Sequence, residues 1–185
     1  MGRADHRYCA YYCEENIWQL LAESELRPDD SCEVWLISNA AKSVAMWGQR
    51  ASSSAQSAVV WDYHVVLARE DTERSWEVWD FDHRGPFVRP ALDWLDASFP
   101  TQVREAFVPH FRCIEATDYL REFRSDRRHM RSADDPDQWS APPPSWPAIG
   151  VDGDHASNLL TWLDLEGPGP GRWQDLRGLR ARLDA

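Results

Sequence analysis

Two β-rich runs in the middle of the chain constrain its fold more than any other feature. Ala58 to Leu67 reads Ala-Val-Val-Trp-Asp-Tyr-His-Val-Val-Leu, and Trp76 to Phe81 is a second stretch dense in β-branched and aromatic residues. The polar stretch Arg69 to Ser75 separates them, so the simplest arrangement is an antiparallel hairpin. Within the first run, alternation puts Val60, Asp62, His64 and Val66 on one face and Trp61, Tyr63 and Val65 on the other. One face is therefore polar at its centre. If the connection is symmetric about Thr72, His64 faces Asp80 and Asp62 faces Asp82. A register displaced by two residues sets Asp82 opposite His64 instead. Cross-strand Cβ atoms lie roughly 4.5–5.5 Å apart, close enough for a carboxylate to accept an imidazole N–H. A His–Asp pair follows from either register, and the residues alone leave the choice of acid open.

The other elements are read around this hairpin. A helix is expected from Cys13 to about Leu26, with Ile17, Leu20 and Leu21 on one face, broken by Pro28, Asp29 and Asp30. A strand follows at Glu33 to Ser38, then an apolar patch at Val44 to Trp47 and a polar loop at Ser52 to Ser57. Further on come a helix near Leu92 to Ala97, a strand at Arg112 to Ala116 and a helix beginning after Thr117 or Asp118. Pro142, Pro143, Pro144 and Pro147 mark an extended surface segment. Asn158 to Leu165 suits a short helix, and a Gly-Pro turn over 167–171 precedes an amphipathic helix near Asp175 to Leu183. With 185 residues, 43% hydrophobic content and 11 Trp, the chain suffices for one domain, 1–185, with its own core.

A net charge of -11 opposes binding to a phosphate backbone, which removes nucleic acid as an expected partner. Met1 to Tyr8 carries charges and no apolar run, and no downstream stretch is apolar enough to span a bilayer, so a monomer in the cytoplasm is expected. Four scattered cysteines, Cys9, Cys13, Cys32 and Cys113, do not make a disulfide framework. Each is then buried filler or a working thiol.

Cys13 stands at a helix start, where unpaired N–H groups and the dipole favour a thiolate, although Glu14 and Glu15 oppose this. A lone free cysteine is more often core filler and a lone strand histidine more often structural, so the reading depends on the two occurring together with a carboxylate. Metal binding is the rival use, since His64, Asp80, Asp82 and His83 are close in sequence. Asp80, Asp82 and Gly85 echo the start of a calcium loop, but Arg84 and Ala91 occupy ligand positions, and no Cys or His pair has zinc spacing. Neither a metal nor any other cofactor is expected.

Tyr12-Cys13-Glu14-Glu15-Asn16-Ile17-Trp18, followed by Trp61-Asp62-Tyr63-His64-Val65, closely resembles the protein N-terminal glutamine amidohydrolases. The likeness continues through Ile37-Ser38-Asn39, Asp80-Phe81-Asp82, Ser125 to Met130 and Pro142 to Pro144, and loosens after Asn158. The resemblance implies an α/β fold, an α/β/α sandwich with a mainly antiparallel sheet related to the papain and transglutaminase architectures. It implies a catalytic set of Cys13, His64 and Asp80. It also implies conversion of the N-terminal glutamine of proteins or peptides to glutamate, with ammonia released through a thioester, the product serving as a degradation signal after further aminoacylation. A free N-terminus requires an acceptor for its α-ammonium group, and Asp62 and Glu14 are the expected substrate-binding carboxylates. Ser125 to Met130, His129 included, is read with Trp139 and Pro142 to Pro144 as packing around the cleft. The competing readings are a thiol peptidase, a transglutaminase-like deamidase of internal glutamine, and a non-catalytic module that binds N-terminal residues. The intact Cys, His and Asp set argues against the last.

Overall fold

The computed structural model describes residues 2–23, 31–132, 135, 137–150 and 157–185. Strand β1 (Cys32–Ser38) lies at the middle of a six-stranded sheet and is buried on both faces, with Val34 to Ile37 its continuous apolar stretch and Glu33 partly buried. It pairs with β4 (His64–Glu70) on one side and β7 (His110–Glu115) on the other. β5 (Trp76–Trp79) and β6 (Val88–Pro90) extend the sheet beyond β4, and β8 (Arg172–Asp175) extends it beyond β7. Every pairing is antiparallel. β2 (Val44–Met46) and β3 (Val59–Trp61) form a separate two-stranded sheet.

Helices cover both faces. Ile17, Leu20 and Leu21 of α1 (Cys13–Glu23) and Tyr119 of α3 (Ala116–Glu122) pack on Val34, Leu36, Val65 and Leu67. Leu159 and Trp162 of α4 (Leu159–Trp162) join that cluster. On the opposite face, Trp94 and Leu95 of α2 (Ala91–Ser98) and Leu179 of α5 (Leu176–Leu183) meet Trp35, Ile37, Val66, Val78 and Phe111. Burying side chains such as Ile37 and Phe111 contributes roughly 1.5–3 kcal/mol each. The result is a mixed α/β fold with a mainly antiparallel sheet between helical layers, as the sequence suggests. Among the described residues no helix is long and apolar enough to cross a membrane.

Two expectations about the hairpin need correction. The run from Ala58 to Leu67 is not one strand: β3 ends at Trp61, β4 begins at His64, and the chain breaks at Asp62 and Tyr63. Side chains satisfy the freed backbone there, with Ser38 Oγ donating to the Asp62 carbonyl at 2.7 Å and Tyr63 N donating to Asp62 Oδ1 at 3.0 Å. Trp61 and His64 consequently share a side and stack, with centroids 5.9 Å apart and planes 15° from parallel. The register is also displaced by two residues, pairing Leu67 with Trp79 and Glu70 with Trp76. Asp71 causes this. Its Oδ1 accepts from Glu73 N at 2.8 Å and Ser75 N at 2.9 Å, while Arg74 takes a left-handed φ of 64°, which centres the turn on Glu73 rather than Thr72.

The edge strands β6 and β8 are not expected from the sequence. The proline segment is less superficial than its composition suggests, since Ala141, Trp146 and Ile149 are buried and Tyr12 Oη donates to the Ala141 carbonyl at 3.1 Å. The expected end of the first helix at Leu26 and its break at Pro28 to Asp30 lie outside the described residues.

Candidate active site

Cys13 is the first residue of α1 and is 8% exposed. The approach to it is fixed by Tyr11, which turns the chain with a φ of 70°, and by Asn16, whose amide brackets Cys9 through bonds of 2.8 and 2.9 Å. His64 opens β4 on the adjacent part of the sheet, so the contact of α1 with β4 brings thiol and imidazole to one place. Both line a small cavity of 80 Å³ together with Tyr11, Trp61, Asp62, Tyr63, Asp82 and Met130. A larger apolar groove of 490 Å³ near Trp47, Phe99 and Leu176 contains none of these residues.

His64 Nε2 lies 3.0 Å from Asp80 Oδ1. The strand register on its own would set position 82 across from His64. However, β5 ends at Trp79 and the chain leaves the ladder, so the Asp80 carboxylate is the one that reaches the imidazole. Asp80 is fully buried and accepts two further bonds, from Asp82 N to Oδ1 at 2.9 Å and from Trp94 Nε1 to Oδ2 at 3.0 Å. Burial alone would raise its pKa, but the charge and hydrogen bond of His64, with these donors, hold it at about 2. Burial likewise disfavours the imidazolium, yet Asp80 outweighs it and the His64 pKa is raised. The stacked Trp61 ring flanks the imidazole.

The thiol is the reverse case. Burial pushes the Cys13 pKa well up, and the charges of Glu14 and Asp82 add to this, outweighing the opposing backbone hydrogen bond at Val65. Glu14 is fully buried and is not a lining residue of the cavity. Its Oε2 accepts from Tyr63 Oη at 2.9 Å and lies 3.7 Å from Cys13 Sγ, while Oε1 is 3.5 Å from His129 Nε2. Glu15, also fully buried, receives the Arg127 guanidinium in a two-point bond of 2.8 and 2.7 Å, plus Ser125 Oγ at 3.1 Å and Trp146 Nε1 at 2.8 Å.

A family model described as N-terminal glutamine amidase matches residues 8–180. The chain belongs to this family. Relatives named Protein N-terminal glutamine amidohydrolase include one from Drosophila pseudoobscura pseudoobscura, 36% identical over 151 residues, covering 79% of this chain and 73% of the relative. Another, from Bos taurus, is 35% identical over 164 residues, covering 86% and 77%.

In this member of the amidase family the structure brings Cys13, His64, Asp80 and Asp62 together and leaves Glu14 behind the thiol. Oxygen and nitrogen atoms of His64, Asp80 and Asp82 lie within 4.8 Å of one another, a spacing a metal ion could use. Their existing bonds disfavour that, because a cation on Asp80 would displace its bonds to His64 Nε2 and Trp94 Nε1. His83 is occupied elsewhere, accepting from Gly85 N at 2.9 Å. Sequence reasoning missed Trp94, Tyr8 and the Arg127 brace. Arg127 carries one signal, its place in Ser125 to Met130, which from the sequence reads as packing; Trp94 and Tyr8 carry none.

Proposed function

We propose that this chain hydrolyses the side-chain amide of a glutamine at the N-terminus of a protein or peptide, releasing ammonia and leaving glutamate. The observation that carries this is the single small cavity onto which the Cys13 thiol and the Asp80-paired His64 imidazole both open, in a chain of the amidase family. Nε2 of His64 is engaged by Asp80, so Nδ1 is the nitrogen that exchanges a proton with the thiol. The thiol is held protonated at rest, and its proton passes to His64 as Sγ attacks the amide carbon. The developing oxyanion is stabilised by unpaired backbone N–H groups at the start of α1.

Collapse of the tetrahedral species breaks the C–N bond, and the proton held by His64 goes to the departing nitrogen, which leaves as ammonia. His64 then takes a proton from water, the resulting hydroxide adds to the thioester carbon, and the C–S bond breaks as the proton on His64 passes to Sγ, restoring the thiol and neutral imidazole. Asp80 fixes the imidazole tautomer and stabilises its charged form. Water and these side chains supply every atom and proton. A nucleophile on a helix packed against the sheet, in the chain order Cys, His, Asp, also supports the likeness to the papain and transglutaminase architectures.

Ammonia release from three peptides tests the reading: one beginning with Gln, the same peptide N-acetylated, and one with Gln at an internal position. Release from the first alone is expected. Equal release from all three overturns the restriction to an N-terminal residue.

A further inference from the structure

The cavity that holds Cys13 and His64 has two carboxylates in its lining, Asp62 and Asp82, and their settings differ. Asp62 is exposed at the rim, with Oδ1 accepting from Tyr63 N. Asp82 is 8% exposed. Its Oδ1 accepts from Tyr8 Oη at 2.6 Å, and among the described residues no donor reaches Oδ2 and no Lys, Arg or His forms an ion pair with it. Tyr8 is itself fixed, stacked on Phe81 at 5.7 Å with the Arg50 guanidinium over its ring at 5.6 Å. Arg50 N also donates to the Asp82 carbonyl at 2.7 Å, so backbone and carboxylate are both held before any substrate arrives.

We propose that Asp82, positioned by Tyr8, binds the α-ammonium group of the substrate and thereby restricts the reaction to a free N-terminus. This rests on the N-terminal glutamine reading and names the group that enforces it. In glutamine only Cα, Cβ and Cγ separate the α-nitrogen from the amide carbon, so both must lie close to the cavity where Cys13 attacks. The acceptor therefore has to line that cavity, which Glu14 does not.

Magnitude decides between the two carboxylates that do. An exposed ion pair such as Asp62 would offer is worth about 0–1 kcal/mol, too little for strong discrimination. A buried, pre-held carboxylate gives a charge-assisted bond to ammonium, and an acetylated nitrogen cannot supply its cationic partner. Burial pushes the Asp82 carboxyl up, with His64 opposing and the Asp80 charge adding to the rise, so a cation at this oxygen favours the ionised form. The same carboxylate repels the newly formed side-chain carboxylate of the product, which favours its release.

Calorimetric binding to the Cys13→Ala protein tests the assignment without turnover, using a Gln-initiated peptide and its N-acetyl form. The free peptide is expected to bind more tightly, and Asp82→Asn on this background to reduce the free-to-acetyl ratio by about 100-fold. Asp62→Asn should change it by no more than about threefold. Tyr8→Phe should reduce it several-fold and decides the matter should Asp82→Asn not fold. A ratio unchanged by Asp82→Asn, unchanged by Tyr8→Phe, or lost with Asp62→Asn overturns the proposal. Failure of the N-terminal glutamine reading shows separately, as equal wild-type ammonia release from the Gln-initiated, acetylated and internal-glutamine peptides.

Discussion

Glu15 and Asp80 are both fully buried carboxylates, and each accepts several hydrogen bonds, but their donors differ in kind. Glu15 is held by Arg127, whose guanidinium keeps its protons throughout the accessible pH range, together with Ser125 and Trp146. Asp80 is held by Trp94, a backbone N–H and one group that can gain and lose a proton, His64. The first arrangement ties the start of α1 to the loop carrying Arg127. The second stabilises one protonation state of the residue facing Cys13. Buried charge serves as a brace in one place and, in the proposed reaction, as part of a proton relay in the other, and the identity of the donor makes the difference.

Substitutions should separate the two. Asp80→Asn keeps the shape but can fix the wrong imidazole tautomer, so kcat for ammonia release should fall by about 10⁴-fold in steady-state assays. Arg127→Ala leaves Glu15 charged and buried without its cation, which should cost about 3–5 kcal/mol in urea unfolding. The molecules that remain folded should turn over near the wild-type rate. A fall in kcat for Arg127→Ala as deep as that for Asp80→Asn would erase the distinction.

A smaller effect concerns pH. The Asp80 pKa is lowered from 3.8 to about 2 on folding, so its contribution, roughly 2 kcal/mol, is present above the unfolded value and lost as pH falls toward 2. The His64 pKa is raised, so its contribution is full below the unfolded value of 6.5 and is lost as pH rises through the folded one. Unfolding free energies measured from pH 4 downward should therefore lose less stability in Asp80→Asn than in wild type. Equal losses would show that Asp80 is not held as described.

How far the sequence reveals this depends on distance along the chain. The helix start at Cys13 and the strand at β1 are local patterns, and both are found where the residues place them. The His–Asp pair was legible as a pair, whereas the choice of Asp80 turned on where β5 ends and on an Asp71 turn that shifts the register. Tyr8, Trp94 and Arg127 could not be assigned as partners, because each reaches a buried carboxylate from an element remote in sequence and leaves no periodic trace. The short edge strands β6 and β8 carry a proline and several polar residues, a composition that reads as loop until a neighbouring strand supplies their bonds.

The most direct test of the chemistry is ammonia release from a Gln-initiated peptide by wild type and Cys13→Ala, with urea unfolding of both proteins in parallel. Release should fall by about 10⁴–10⁶-fold while the unfolding midpoint stays close to that of wild type. Ammonia release by Cys13→Ala at a rate comparable to wild type would contradict a nucleophilic role for this thiol.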